Sequence, residues 1–164
     1  MVTVEVVAPA RTRELRRAVL RPHLPPGTPL PGDDPPDAIH LGAVVDGEVL
    51  STCFVFVEPC PWRAAEPAAG SFDWHLRQMA TAPEARGRGL GGAVLDAALE
   101  LARERAGRLL WANVREPAVA FYRRHGLQPH GAVFTDERHP IPHLRMWRDL
   151  MEPVQPHPSP TSSS

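Results

Sequence analysis

Alternation of apolar and polar residues marks the strands of this chain. Residues 2–6 alternate valine with polar neighbours and predict a first strand. Two β-rich runs follow, residues 39–45 and residues 49–57, separated by Asp46-Gly47. Because Asp-Gly readily adopts the backbone of a tight two-residue turn, these runs predict a β-hairpin.

Helical spacing of apolar residues appears in three segments. Residues 10–21 show it first, and residues 91–106 show it again, with Gly107 expected to cap the carboxyl end of that helix. Pro117 is well placed in the first turn of a short helix that ends at Gly126. Helices and strands are therefore interleaved along the chain.

A phase slip interrupts the strand that begins near residue 72. Phe72, Trp74 and Leu76 alternate on one face, but the in-phase position 78 is Gln and the apolar Met79 falls one residue late. Since side chains alternate with a period of two in a strand, one extra residue shifts the phase. The pattern predicts a β-bulge near Gln78, with the end of the strand as the alternative.

Four of the six residues at positions 87–92 are glycine, where the second predicted helix begins. A glycine-rich turn that enters a helix exposes backbone N–H groups and the positive end of the helix dipole, so it is suited to bind phosphate. Gly87-x-Gly89-x-x-Gly92 fits a dinucleotide fingerprint, but a polar turn precedes it and the next strand, residues 109–114, carries Asn113 where an acid is expected. A P-loop is excluded because the chain contains no lysine.

A second frame of the same turn, Arg86-x-x-Gly89-x-Gly91, matches R/Q-x-x-G-x-G/A, the pyrophosphate signature of the GNAT acyl-CoA N-acyltransferases. The approach over residues 78–87 also resembles that superfamily, as does Asn113 followed by residues 117–127. The resemblance spans residues 40–150. It implies an α/β (α+β) fold in which helices flank a mixed, mostly antiparallel central sheet of about 6–7 strands.

The resemblance also implies the cosubstrate and the residues that bind it. Acetyl-CoA would donate its acetyl group directly to a primary amine in a ternary complex, without a metal. Pantetheine would pair with backbone where the bulged strand splays from its neighbour. The implied cofactor-binding residues are Met79, Ala80, Thr81, Arg86, Gly87, Arg88, Gly89, Leu90, Gly91, Gly92, Asn113 and Tyr122.

Three side chains are candidates for proton transfer. Tyr122, the only tyrosine of the chain, would by resemblance protonate the departing thiolate; alternatively Phe121 packs in the core and Tyr122 is half-exposed. His75 and His143 are candidate bases. The alternative for His75 is a structural or solvent-facing histidine, and the alternative for His143 is a surface histidine. By the same resemblance, a backbone amide freed by the bulge near Met79 or Ala80 would stabilise the oxyanion.

Composition restricts the remaining functions. A net charge of −1 gives no reason to expect nucleic-acid or membrane binding, and the first residues lack signal-peptide character, so we expect a cytoplasmic protein. Cys53 and Cys60 have neither metal-ligand nor Cys-x-x-Cys spacing. Residues 1–150 are expected to form one domain and residues 151–164 a disordered tail.

Partners and alternatives follow from the same features. The expected acceptor is a small-molecule or peptide amine, and a homodimer is one possible assembly. The long Pro-rich loop, residues 22–36, either faces substrate or is a surface connector. Two functions of other classes remain open: an inactive acyl-CoA-binding sensor and a dinucleotide-dependent oxidoreductase.

Overall fold

The computed structural model describes residues 1–30, 35–63 and 70–151. Part of the Pro-rich loop, residues 31–34, and the tail from residue 152 lie outside the described residues, so the expectations for both stay predictions. The elements are β1 (Val2–Val6), α1 (Arg13–Leu20), β2 (Ile39–Val45), β3 (Glu48–Val57), β4 (Phe72–Thr81), α2 (Leu90–Glu104), β5 (Gly107–Arg115), α3 (Val119–Arg124), β6 (Gln128–Phe134) and β7 (His143–Asp149).

The strands form one seven-stranded sheet in the order β1-β2-β3-β4-β5-β7-β6. All neighbouring strands run antiparallel except β4 and β5, which are parallel. The predicted fold class, a mixed and mostly antiparallel sheet with flanking helices, is confirmed. This is not the parallel doubly wound sheet that a dinucleotide fingerprint requires.

The predicted hairpin and the predicted bulge are both present. Asp46 and Gly47 adopt positive φ values of 50° and 82° between β2 and β3, as the tight turn requires. Across β3 and β4, Thr52 pairs with Ala80 and Phe54 with Arg77, so two residues of β4 face one residue of β3. The extra residue makes the β-bulge.

Strands β4 and β5 pair only over their first residues and separate on the side where β4 carries the bulge. Phe72 to His75 of β4 pair with Gly107 to Trp111 of β5, and the described pairing stops there although both strands continue. The far ends, Leu76–Thr81 and Ala112–Arg115, therefore diverge and leave a gap in the middle of the sheet.

The helices cover opposite faces of the sheet. Helix α2 buries one apolar side, which includes Val94, Leu95 and Ala98, against the main hydrophobic core. On the other face, the Arg16 guanidinium of α1 lies 5.9 Å from the centre of the Phe54 ring. The gap between β4 and β5 therefore lies in a sheet that has α2 on one face and α1 on the other.

The predicted cap at the end of α2 is wrong. Ala106, not Gly107, takes the left-handed conformation, with a φ of 57°. Gly107 opens β5, and a Cβ there would lie 2.4 Å from the Ala102 carbonyl oxygen. Glycine is needed at this position because β5 starts in direct contact with the last turn of α2.

Candidate functional site

A buried arginine of α1 holds the bulge. Gln78 has a φ of 54°, which L side chains rarely adopt. Its Oε1 accepts a hydrogen bond of 2.7 Å from Arg16 Nη1, and Arg16 Nε donates to Thr12 Oγ1 at 3.0 Å. Arg16 is only 1% exposed, and its bond to Gln78 is partly buried. The linkage between α1 and β4 therefore fixes the residue that opens the bulge.

The sequence did not indicate this role of Arg16. It lies 62 residues from Gln78, and an arginine beside Leu15 in an amphipathic helix is usually read as a surface residue. A polar residue at the phase slip was the one available signal, since a buried amide needs a partner.

Two substitutions at Gln78 separate the backbone conformation from the hydrogen bond. Gln78→Ala and Gln78→Gly both remove the bond to Arg16, but only Ala retains a Cβ at positive φ. Since the left-handed region costs an L residue about 1–2 kcal/mol, we expect the Gly variant to be the more stable of the two, by about 1 kcal/mol. Urea unfolding measures the difference, and equal stability would show that position 78 relaxes out of the bulge.

The glycine turn has the open backbone that an anion site needs. Gly87 and Gly89 have φ values of 79° and 75°, and a Cβ on either would meet no atom within 4 Å. Gly89 forms the amino-terminal cap of α2, whose first helical hydrogen bond runs from Ala93 N–H to the Gly89 carbonyl. The N–H groups of residues 90–92 precede that bond and have no partner within the helix.

The turn is packed against the end of the bulged strand. A Cβ on Gly91 would lie 3.3 Å from Thr81 Oγ1, which is 2.8 Å from Ser51 Oγ. A Cβ on Gly92 would lie 3.2 Å from the His125 ring. The fold thus brings together two parts of the predicted cofactor site, the end of β4 and the start of α2, and Arg86 and Arg88 are exposed beside them.

A cleft of about 260 Å³ opens where β4 and β5 diverge. Five of the predicted site residues meet there: His75 and Met79 from β4, Asn113 from β5, Tyr122 from α3, and His143 from β7. Ala80, Thr81 and residues 86–92 are not among the described residues that line it. Its other lining residues are Leu20, Arg21, Leu76, Arg77, Gln78, Ala112, Val114, Arg115, Ala118, Phe121, Arg138 and His139.

Tyr122 is buried, and the half-exposed alternative is wrong. Its side chain is 5% exposed, whereas the neighbouring Phe121 is only partly buried and meets it edge-on at 5.2 Å between ring centroids. Burial raises the pKa of the Tyr122 hydroxyl well above its ordinary value. Tyr122 is therefore protonated at neutral pH, and burial makes its hydroxyl a weaker acid than that of an exposed tyrosine.

His75 is held rigidly and stays neutral. Its Nδ1 lies 2.9 Å from Glu58 Oε2, and its ring stacks on Trp111 at 3.6 Å between centroids. Since a carboxylate accepts hydrogen bonds, Nδ1 carries the proton. Burial lowers the pKa of His75 to about 4, although Glu58 opposes that shift. A base this weak is poorly matched to chemistry near pH 7.

His143 is neutral, and its hydrogen bond shows which ring nitrogen carries the lone pair. It opens β7 at 8% exposure, and its Nδ1 lies 2.7 Å from the Ile141 carbonyl oxygen, so Nδ1 donates and Nε2 carries the lone pair. Burial lowers the pKa of His143 below its ordinary value; the hydrogen bond to the Ile141 carbonyl opposes that shift, and the positive charge of Arg115 adds to it. Nε2 is therefore the nitrogen of His143 that can accept a proton.

A second imidazole, that of His139, lies beside His143, and the sequence did not predict it. The His139 ring lies 4.6 Å from the His143 ring, and its Nδ1 is 2.9 Å from Asp136 Oδ1. These residues come from the irregular segment between β6 and β7, where no periodic pattern indicates which side chains converge. Two histidines four positions apart before a strand were the only available signal.

Asp73 is engaged in an ion pair, and the two cysteines are not ionised. Asp73, another polar residue of the bulged strand, is 1% exposed and paired with Arg108 at 2.8 Å. Burial raises the pKa of Cys53 to about 12 and that of Cys60 to about 11, so neither thiol is ionised at neutral pH. Within the described ranges, no group of three or more His, Cys, Asp or Glu side chains could hold a metal ion.

Comparison with solved structures identifies the fold. An acyl-CoA N-acyltransferase from Pseudomonas aeruginosa is 23% identical, with a TM-score of 0.64 over 90% of this chain and 98% of that one. The ribosomal-protein-S18-alanine N-acetyltransferase of Escherichia coli is 14% identical, with a TM-score of 0.67 over 96% and 99%. FeeM, an N-acyl amino acid synthase from uncultured soil microbes, is 14% identical, with a TM-score of 0.72 over 92% and 91%. At these identities the likeness shows a shared fold.

Sequence comparison assigns the family. No curated protein is significantly similar to the chain. In the described part of the chain, no helix is long and apolar enough to cross a membrane. The model of the acetyltransferase (GNAT) family matches residues 10–127, which include the bulged strand, the glycine turn and Tyr122. This chain belongs to the GNAT acetyltransferase family.

Proposed function

We propose that this protein is an N-acetyltransferase that moves an acetyl group from acetyl-CoA directly to a primary amine in a ternary complex. The observation that carries the proposal is the divergence of β4 from β5, with the bulge at its edge and the glycine turn beside it. The gap offers unpaired strand backbone to an extended ligand, and the turn offers N–H groups to a phosphate.

Acetyl-CoA would lie along this path. Its pyrophosphate would accept hydrogen bonds from the amides at the start of α2, with Arg86 and Arg88 supplying charge. Its pantetheine arm would pair with the backbone of residues 79–81, and Asn113 would contact it from the diverging strand. The proposed cofactor residues are Met79, Ala80, Thr81, Arg86, Gly87, Arg88, Gly89, Leu90, Gly91, Gly92, Asn113 and Tyr122.

The cleft residues then supply the proton transfers. His143 Nε2 accepts a proton from the acceptor amine, and the amine nitrogen attacks the thioester carbonyl, forming a C–N bond. The Met79 amide stabilises the oxyanion of the tetrahedral intermediate. As the C–S bond breaks, Tyr122 donates its proton to the thiolate of CoA. The proton held by His143 passes to solvent and the phenolate recovers one, so both groups are restored.

Acidification distinguishes His143 from His75 as the base. A histidine acts as a base only when neutral, so activity should fall as the pH drops through its pKa. We expect His143→Gln to lower kcat/KM about tenfold to a hundredfold near neutral pH, because water in the open cleft replaces part of its function. The ratio of wild-type to variant activity should fall toward one as the pH decreases. Because burial lowers the pKa of His143, the midpoint of this change should lie below pH 6.5.

The ratio is informative because titration of the acceptor amine cancels between the two proteins. His75→Gln is the matched control and should retain wild-type pH dependence above pH 5, given that the pKa of His75 is about 4. A pH-independent ratio for His143→Gln would remove His143 as the base.

A thiol-release assay tests the proposed function. Purified protein is incubated with acetyl-CoA and a panel of amines, amino acids and peptides, and free thiol and N-acetyl product are measured together. We expect the two to form in equal amounts with at least one acceptor. Tight acetyl-CoA binding without product from any acceptor class would instead support an acyl-CoA sensor.

A further inference from the structure

The side chain of His125 joins the end of α3 to the first turns of α2. Its Nδ1 lies 2.8 Å from Asp96 Oδ1, and since a carboxylate accepts hydrogen bonds, Nδ1 carries the proton. A Cβ on Gly92 would lie 3.2 Å from Cε1 and Nε2 of the ring, so the imidazole lies directly against the backbone of α2. The Phe121 ring of α3 lies 4.9 Å from it between centroids. The imidazole therefore contacts both helices.

The backbone of His125 is anchored as well. Its carbonyl oxygen accepts a hydrogen bond of 2.9 Å from Arg148 Nη1 on β7. Its N–H donates to the Tyr122 carbonyl oxygen at 3.1 Å, and the Leu127 N–H donates to the same oxygen at 3.1 Å. His125 therefore connects the backbone of Tyr122 to α2 and to β7.

The glycines of the turn have two kinds of surroundings. A Cβ on Gly89 would meet no atom within 4 Å, which leaves that side open to a ligand. A Cβ on Gly91 would lie 3.7 Å from Phe121 Cζ, and a Cβ on Gly92 would lie 3.2 Å from the His125 ring. Because 3.2 Å is shorter than an ordinary van der Waals contact, glycine at position 92 lets α3 approach α2 this closely.

We infer that His125 is a positioning residue for the reaction, because it holds Tyr122 in a fixed place relative to the start of α2; this inference rests on the proposed function. The pyrophosphate of acetyl-CoA would bind at the start of α2, and its thioester would react beside Tyr122. His125 links these two regions. Since catalysis depends steeply on the placement of a proton donor, a small displacement of α3 lowers the rate and leaves the pyrophosphate contacts intact.

Removal of the imidazole should separate turnover from cofactor binding. We expect His125→Ala to lower kcat about tenfold while the dissociation constant for acetyl-CoA changes by less than about threefold. His125→Asn should recover part of the lost rate, because its side-chain amide can donate to Asp96. Arg103→Ala is the control and should keep the wild-type kcat, since it removes only the ion pair with Glu100 near the other end of α2.

Fluorine NMR reports on Tyr122 without turnover. Tyr122 is the only tyrosine of the chain, so incorporation of 3-fluorotyrosine gives one signal. We expect this signal to shift or broaden in His125→Ala, because the end of α3 is no longer fixed to α2. The signal of Arg103→Ala should match that of the wild type.

Gly92→Ala tests the same contact from the side of α2. The added methyl group displaces the imidazole, so the fluorine signal should shift and kcat should fall about threefold. In the His125→Ala background the methyl group meets no ring, and Gly92→Ala should then have no further effect on either measurement. Thermal unfolding establishes that each variant is folded.

The two kinds of measurement keep this inference distinct from the proposed transfer. If the wild-type protein acetylates no amine, the proposed function fails, and the fluorine signals alone decide whether His125 holds Tyr122 in place. A wild-type fluorine signal in folded His125→Ala and Gly92→Ala proteins overturns the inference. A kcat that stays at the wild-type value in His125→Ala, or that falls only in parallel with acetyl-CoA affinity, overturns it too.

Discussion

Gly89→Val should weaken acetyl-CoA binding by about a hundredfold or more, equivalent to about 2.7 kcal/mol. Gly89 caps α2 at a φ of 75°, and the region beside it is open. A β-branched residue in this conformation is strained by about 1–3 kcal/mol. The backbone therefore shifts, and its N–H groups no longer point toward the phosphate. The side chain also enters the volume through which a phosphate approaches. Calorimetric titration of acetyl-CoA measures the loss.

Gly47→Val is the matched control. Gly47 has a φ of 82° and equally open surroundings, but it lies in the β2–β3 hairpin turn. Both variants carry similar strain, so thermal unfolding should show similar losses of stability, while only Gly89→Val loses cofactor affinity. Equal affinity in the two variants would place the phosphate elsewhere.

Tyr122→Phe should lower kcat by about a hundredfold to a thousandfold while the dissociation constant for acetyl-CoA changes by less than about threefold. The substitution removes a single hydroxyl from a ring that is 5% exposed and packed against Phe121, so the aromatic contact survives. Because burial holds the proton on Tyr122, the variant loses a donor and no negative charge. Steady-state kinetics and equilibrium titration supply the two values.

Phe121→Leu serves as the comparison, since it alters packing at the same cleft and removes no donor. We expect a much smaller change in kcat for that variant. A Tyr122→Phe enzyme with wild-type turnover would remove the general-acid role and leave Tyr122 as a packing residue.

Local patterns predicted the features that local backbone chemistry determines. Asp46-Gly47 indicated the hairpin, and the phase slip at Gln78 indicated the bulge, because each constraint acts within a few residues. The motif frame at residues 86–91 located the glycine turn beside the splayed strand. Gly107 was misread because a glycine after a helix is usually a cap, whereas here it permits contact with the Ala102 carbonyl.

Long-range contacts could not be predicted in the same way. Arg16 reaches Gln78 from α1, which packs directly against β4, and Asp136 and His139 approach His143 through an irregular segment. Neither arrangement has a period in sequence. The convergence of arginines on the cleft has the same origin, since only the fold brings Arg21 and Arg138 to one volume.

Hydrogen–deuterium exchange with and without acetyl-CoA tests the central claim most directly. The claim is that the cofactor lies in the gap between β4 and β5 with its pyrophosphate on the glycine turn. We predict that saturating acetyl-CoA slows exchange at the amides of residues 79–81 and 90–92, and that the β2–β3 turn at Asp46-Gly47 is unaffected. Unchanged exchange at both sets in a protein that binds acetyl-CoA would contradict the account.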